Sequence, residues 1–161
     1  MSHPNEEIIT RFYTAFKNGD SEAMAACYHS EIEFKDPVFQ LKGEHAGNMW
    51  RMLVGRGGGG LQITFRDIQA NDQTGSAHWE AKYPFSKSGR NVHNKIDAEF
   101  VFRDGLIVKH TDTFNFWKWT RMALGPMGFL MGWTSMVQNK VRAQAKGQLA
   151  KFEAGMKNKA G

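Results

Sequence analysis

The chain has 161 residues, of which 41% are hydrophobic and 23% charged, a composition typical of a folded globular protein. Its length is enough for a sizeable core, and we expect one domain over 1–161. The single cysteine, Cys27, excludes an internal disulfide and fits a reducing compartment. The first residues contain no basic segment followed by an apolar one, so we expect no secretion signal and predict a cytoplasmic location.

The formal net charge of +5 is concentrated near the C-terminus. Residues 138–161 contain six Lys or Arg and one acid, Glu153, which accounts for the whole excess. We interpret this segment as a solvated helix with cations toward its C-terminal end. Binding to nucleic acid or to an acidic membrane is the alternative. Because stacking aromatics do not alternate with these charges, no nucleic-acid partner is predicted.

The N-terminal part of the chain predicts helices around one short strand. Apolar residues recur at helical spacing in three segments, 5–18, 21–28 and 43–54. Residues 32–36 alternate as a strand that Pro37 ends, and Asp36 falls on its inner face. The glycine-rich run 56–60 predicts a mobile loop. It lacks the lysine and hydroxyl residues that end a phosphate-binding loop.

Four strands are predicted next, over 61–68, 77–85, 91–103 and 105–116. The turn residues Ser88-Gly89 and Asp104-Gly105 join the last three of them as hairpins. Trp79 and Tyr83 lie on the largely apolar face of the second strand, and Phe100 lies on that of the third. Helices followed by an antiparallel meander indicate an α+β fold.

The last predicted strand contains the strongest functional signal. Its even positions are Val108, His110, Asp112, Phe114 and Phe116. Alternation places these side chains on one face, and the aromatic residues favour the interior for it. A histidine and an aspartate are costly there unless they are paired or functional. They are therefore candidate acid–base groups, and a buried pair that simply bonds its neighbours is the alternative.

No metal or cofactor is predicted. His110 and Asp112 lie two residues apart on one strand face and could contact the same ion, but no third ligand occurs at a diagnostic spacing. The sequence also lacks a dinucleotide-binding fingerprint and the motifs of serine or cysteine nucleophiles.

After residue 116 the chain predicts a short helix over 117–124 and a long helix over 127–152, separated by Gly125-Pro126. The uncharged run 122–137 is too short and too interrupted to span a membrane. We expect this region to cover the sheet or to form a dimer contact. A helix lying in the membrane interface is the alternative.

Three local segments, 12–20, 34–38 and 102–110, resemble the nuclear transport factor 2-like superfamily. This superfamily includes SnoaL-like polyketide cyclases, scytalone dehydratase, limonene epoxide hydrolase and ketosteroid isomerase. The resemblance covers roughly residues 5–116 and implies a cone-shaped, curved antiparallel sheet with the N-terminal helices packed in its concave side. Residues 117–155 would add a C-terminal helical extension, which resembles SnoaL-like proteins labelled as ketosteroid isomerase-related.

Comparison with the isomerases implies a catalytic base at Asp36, which lies in an Asp-Pro motif on the first strand. The isomerase tyrosine that stabilises the oxyanion aligns with Phe12, and Tyr13 points about 100° away on the helix. The second oxyanion donor resembles Asp97, which alternation places on the outer face. Steroid isomerisation itself is therefore not expected. SnoaL-like enzymes commonly take acid–base groups from their last strands, where the histidine and aspartate lie here.

The sequence thus predicts a small-molecule enzyme of the isomerase, cyclase or dehydratase type that uses Asp36, His110 and Asp112 and needs no cofactor. Six side chains are predicted to line an apolar pocket for a small hydrophobic ligand: Tyr13, Trp50, Trp79, Tyr83, Phe100 and Phe114. A non-catalytic ligand-binding protein and a dimeric interaction module are the alternatives. We expect a homodimer through the outer sheet face, because that face carries residues such as Val101 and family members commonly pair there.

Overall fold

The computed structural model describes residues 2–57 and 60–160. The helices are α1 (Pro4–Lys17), α2 (Ser21–Ala26), α3 (Glu44–Gly57), α4 (Phe116–Leu124), α5 (Pro126–Met131) and α6 (Ser135–Ala160). The strands are β1 (Tyr28–Lys35), β2 (Gln40–Lys42), β3 (Gln62–Ala70), β4 (Thr74–Pro84), β5 (Asn91–Arg103) and β6 (Leu106–Thr113). Of the loop predicted at 56–60, residues 58 and 59 lie outside the described part.

The strands form one curved sheet in the order β2-β1-β6-β5-β4-β3. β1 runs parallel to β6, and the other neighbouring pairs are antiparallel. α1 packs on the inner face, where the Tyr13 ring lies 5.6 Å from Phe65 and the Phe12 ring lies 5.5 Å from His110. The α+β class and the antiparallel meander of β3 to β6 are therefore confirmed.

A β-bulge sets which side chains of β6 face inward. Phe102 pairs with Ile107 and Val101 pairs with Lys109, so Val108 is an extra residue without a partner on β5. Ile107 is consequently buried and Val108 only half-buried, which corrects the predicted alternation at that position. Beyond the bulge, His110 regains the inward orientation that the sequence predicted.

Several element boundaries differ from the predictions. Tyr28 was assigned to the second helix, but it is the first residue of β1, because α2 ends at Ala26. β6 ends at Thr113, and Phe116 begins α4 after the Asn115 side chain caps that helix. The helix predicted over 127–152 is two helices. β2 was not predicted, and its three residues are too few for a periodic signal.

The outer face of β4 and β5 carries a charged cluster. His78 contacts Asp97 through Nδ1 at 2.9 Å and Glu80 through Nε2 at 2.8 Å. Glu80 also contacts His93 Nε2 at 2.6 Å. These bonds lower the pKa of Glu80 to about 2, and the two carboxylates raise the pKa of His78. The predicted outward orientation of both histidines is confirmed.

The C-terminal helices cover one end of the sheet. Phe116 and Trp119 of α4 pack in a second apolar cluster beside Tyr83 and Val38. α6 reaches the same end, where the Arg142 Nε donates to the Pro37 carbonyl at 2.7 Å. Further along α6, Glu153 accepts a hydrogen bond from Asn48 of α3, and Leu149 enters the main core. Among the described residues, no helix has the length and apolar character needed to cross a bilayer.

The contact between α4 and α5 depends on Gly128. A Cβ atom built on this residue overlaps the Thr120 carbonyl of α4, so the two helices approach closely only with glycine here. Gly147, in the middle of α6, has no neighbour within 4 Å of a built Cβ atom.

We predict opposite effects for alanine at these two glycines. Gly128→Ala should lower the free energy of unfolding by about 1–3 kcal/mol, because the helices must separate. Gly147→Ala should raise it by about 0.5–1 kcal/mol, because alanine favours the helix. Urea denaturation of both variants tests this, and equal effects would contradict the close packing.

Candidate functional site

A chain of hydrogen-bonded side chains crosses the interior of the sheet. His110 Nε2 lies 2.8 Å from Asp112 Oδ1, and His110 Nδ1 lies 2.7 Å from the Tyr28 hydroxyl. The Trp50 indole donates to Tyr28 at 2.9 Å, and the Trp79 indole donates to Asp112 Oδ1 at 3.2 Å. All five side chains are buried, and we call them the polar chain.

Counting donors and acceptors fixes the protons in the polar chain. An indole only donates, so the Tyr28 oxygen accepts from Trp50 and its own hydrogen is left to donate to His110 Nδ1. The imidazole proton is then on Nε2, which donates it to Asp112 Oδ1. Every donor of the polar chain is then paired with an acceptor, as is usual for buried polar groups.

Aromatic rings enclose His110, which has no exposed surface. The rings of Phe100, Phe34 and Phe12 lie 4.6, 5.1 and 5.5 Å from the imidazole, measured between centroids. Trp50 stacks on it at 6.2 Å. These rings pack closely around His110, and the predicted apolar pocket stays a prediction. Two surface depressions lie along α1 and α2 and over the outer sheet face.

Tyr13 places a second hydroxyl group in this interior. Its side chain is fully buried, and its oxygen has no hydrogen-bond partner among the described residues. Burial raises the pKa of Tyr13 well above its ordinary value, and the nearby charge of Asp112 raises it further. The hydroxyl is thus a protonated donor without an acceptor, a rare and costly state for a buried polar group.

Asp36 closes the turn between β1 and β2. Its Oδ1 accepts hydrogen bonds from the backbone amides of Val38 and Phe39 at 2.8 and 2.6 Å. Burial nevertheless raises the pKa of Asp36 to about 6, since it outweighs these two bonds, and the charge of Asp112 adds to the rise. Asp36 is therefore a carboxylate that titrates near neutral pH and acts electrostatically on the polar chain.

Tyr83 lies half-buried between Asp36 and the covering helices. Its hydroxyl accepts a hydrogen bond from the Trp119 indole at 2.7 Å. Burial raises the pKa of Tyr83, and the charge of Asp36 contributes to the rise. Phe114 is also half-buried and contacts both apolar clusters. These residues mark the end of the interior that α4 and α6 cover.

Comparison with known proteins identifies the family of this chain. A family model described as a SnoaL-like domain matches residues 9–110, which is more than half of the chain. The chain belongs to the SnoaL-like domain family. The match includes Tyr13, Asp36 and the strand up to His110, whereas Asp112 and the C-terminal helices lie beyond it. No curated protein matches the sequence at a significant level.

Solved structures share the fold of this SnoaL-like chain at low sequence identity. A Xanthomonas campestris protein, described provisionally as a polyketide cyclase, has a TM-score of 0.60 and 22% identity, covering 74% of this chain and 96% of its own. TerC co-crystallised with polyporic acid has a TM-score of 0.59 and 20% identity, over 70% and 92%. An M. tuberculosis epoxide hydrolase, described as LEH-like, has a TM-score of 0.60 and 15% identity, covering 80% of this chain and 96% of its own.

The structure brings most of the residues predicted for the site together in this SnoaL-like domain. Around the polar chain lie His110, Asp112, Tyr13, Trp50, Trp79 and Phe100. The others predicted, Asp36, Tyr83 and Phe114, lie at the covered end. Sequence reasoning missed Tyr28 because it was placed in a helix. Tyr28, Ile32 and Phe34 all have even numbers, so alternation along one longer strand would have placed Tyr28 on the inner face with them. Among the described residues, no group of three or more His, Cys, Asp or Glu side chains is arranged so that it could hold a metal ion.

The two buried tyrosines should respond in opposite ways to loss of the hydroxyl. Tyr28→Phe leaves the Trp50 indole and His110 Nδ1 without a partner, so the free energy of unfolding should fall by about 1–3 kcal/mol. Tyr13→Phe removes an unpartnered group, so stability should be unchanged or higher. Denaturation of this matched pair measures both, and a loss on Tyr13→Phe as large as on Tyr28→Phe would contradict the network.

Asp36 should make stability depend on pH. Its folded pKa of about 6 exceeds the ordinary value of 3.8, so the folded state binds more protons between these values. The free energy of unfolding should therefore fall as pH rises through this window. Asp36→Asn keeps an oxygen for the turn but cannot titrate, so it should gain roughly 1–3 kcal/mol relative to the wild type across the window. A constant difference between the two proteins from pH 4 to pH 6 would contradict the raised pKa.

Proposed function

We propose that this SnoaL-like protein is a cofactor-independent acid–base enzyme of the isomerase, cyclase or dehydratase type that acts on a small hydrophobic molecule. The observation that carries the proposal is the buried hydroxyl of Tyr13, which has no hydrogen-bond partner among the described residues and whose pKa is raised in part by Asp112. The unpaired Tyr13 hydroxyl could donate a hydrogen bond to an acceptor atom of a bound substrate. An oxygen that gains negative charge during proton transfer is such an acceptor.

Asp36 is the proposed base. Its raised pKa of about 6 leaves it ionised at neutral pH and basic enough to remove a proton next to a carbonyl group. Tyr13 would donate to the carbonyl oxygen as charge develops there. Asp36 would then return the same proton at a second position of the substrate, which restores its carboxylate, while the His110–Asp112 pair keeps its own proton between Nε2 and Oδ1 and sets the electrostatics around the developing charge. Trp50, Trp79, Tyr83, Phe100 and Phe114 supply apolar surface for the ligand.

Substrate entry requires the covering helices to move. Aromatic rings pack closely around His110, and the half-buried Tyr83 and Phe114 lie under α4 and α6. We propose that the ligand enters at this end and displaces aromatic side chains. The same close packing favours a second candidate, a non-catalytic protein that binds a ligand or a partner. In that case the polar chain would only specify the packing of the core.

We also propose a cytoplasmic homodimer paired through the outer sheet face. Val101 supports this assembly, because its side chain is exposed on that face. The one cysteine, Cys27, is a free buried thiol, which fits a reducing compartment.

A proton-exchange assay tests the catalytic proposal without knowledge of the product. A panel of cyclic ketones in deuterated water is incubated with the protein, and exchange of the protons next to the carbonyl is followed by NMR. We expect catalysed exchange for at least one apolar ketone. Its kcat/KM should fall as pH drops below about 6, because Asp36 must be ionised to act as a base.

Variants separate catalysis from folding in this assay. Asp36→Asn should reduce exchange by about 10²- to 10⁴-fold. Tyr13→Phe should reduce kcat with little change in stability, since its hydroxyl has no partner to lose. Asp97→Asn is the matched control, because that carboxylate lies on the outer sheet face with an 81% exposed side chain. Absence of exchange across the panel, with ketone binding detected by thermal shift, would favour the non-catalytic candidate.

A further inference from the structure

The region around α5 exposes an unusual amount of apolar surface. Of the nine large hydrophobic side chains that are more than a third exposed among the described residues, seven lie between 117 and 136. We call six of them the apolar patch: Met127, Phe129, Leu130, Met131, Trp133 and Met136. Leu130, Trp133 and Met136 are each about two-thirds exposed, at 65%, 66% and 67%. A cluster of this kind on a surface marks an interaction site.

The backbone beneath the patch is already satisfied. The five consecutive carbonyl groups of 128–132 each accept a hydrogen bond from within the chain. Two of the donors are indoles: Trp117 donates to the Phe129 carbonyl at 3.2 Å, and Trp133 donates to the Leu130 carbonyl at 3.1 Å. A surface facing water would not need these internal hydrogen bonds, because water would donate to the carbonyls. Contact with hydrocarbon does need it, because hydrocarbon has no donor to offer.

The segment that contains the patch carries cations and no acids. Residues 113–152 contain six Lys or Arg and no Asp or Glu. The Arg121 guanidinium lies 5.2 Å from the Trp117 ring and 5.1 Å from the Phe129 ring, so a positive charge sits at the edge of the apolar surface. Lys118 and Lys140 are exposed, and neither forms an ion pair among the described residues. This charge pattern selects a negatively charged partner.

From these observations we infer that the apolar patch docks the protein on an anionic lipid membrane. Its Trp, Phe, Leu and Met side chains would enter the interface, while Lys118, Arg121 and Lys140 contact acidic headgroups. A second copy of the chain fits less well, because a two-fold contact would bring these cations together without carboxylates. A protein partner would offer hydrogen-bond donors, but the carbonyls of the patch each accept a bond already and do not need them. This docking does not depend on the proposed catalysis.

Vesicle flotation with the full chain tests the inference. The vesicles are phosphatidylcholine alone and phosphatidylcholine mixed with phosphatidylglycerol. We expect binding to the mixed vesicles and at least about tenfold weaker binding to the neutral ones. Raising the salt concentration from about 0.1 M to about 0.5 M should release the bound protein in part. These comparisons need no variant, so they stand even if a substitution disturbs folding.

Exposed residues provide matched variants. Leu130→Ser should reduce affinity for the mixed vesicles by about tenfold. Leu53→Ser is the control, since Leu53 is an exposed leucine of α3 outside the patch. Lys118→Gln and Lys140→Gln should each weaken binding by about fivefold on mixed vesicles and leave neutral vesicles unaffected. Asp36→Asn should bind as the wild type does, so loss of catalysis and loss of docking are distinguishable.

Two results would overturn the inference. The first is a wild-type protein that floats with neither vesicle type. The second is a dimer in light scattering that Leu130→Ser dissociates and Leu53→Ser does not, which would identify a second copy as the occupant of the patch.

Discussion

The burial of His110 and Asp112 together is the constraint on which the rest of the interior depends. Neither group is tolerated among aromatic rings unless its hydrogen bonds are complete. Tyr28 and Trp79 complete them, and Trp50 in turn completes Tyr28. Residues from β1, α3, β4 and β6 are thereby fixed relative to one another. Packing of the aromatic core follows from this arrangement, because the rings fill the space that the polar chain leaves.

The C-terminal helices extend the SnoaL-like domain in two directions. On the inside, α4 and α6 seal the end of the sheet where Asp36 and Tyr83 lie. On the outside, α5 presents apolar side chains beside cations. One segment thus separates the interior from solvent and offers a surface for docking. If both proposals hold, an apolar compound dissolved in a membrane would reach the covered end without crossing water.

The sequence predicted the sheet well, because period-two alternation is strong in β4 and β5, and turn residues mark both hairpins. It also predicted that His110 and Asp112 share the inner face. It could not predict the bulge at Val108, because no residue there demands one. Tyr28 was missed because a short helix and a strand meet within two residues. Whether the inner aromatic residues line a pocket or pack against one another could not be predicted either, since both cases have the same sequence pattern.

The bulge in β6 also has a consequence for how the chain tolerates changes of length. The hairpin at Asp104-Gly105 fixes where β6 begins, and Val108 is the one extra residue before the histidine. Deletion of any residue between the turn and His110 would remove or shift the bulge. The imidazole would then move relative to Tyr28. The longer connection at 85–90 is tied to α4 instead, because the Ser88 hydroxyl donates to the Ala123 carbonyl and the Arg90 guanidinium donates to the Met122 carbonyl. In homologous sequences the segment from Gly105 to Asp112 should therefore keep a constant length.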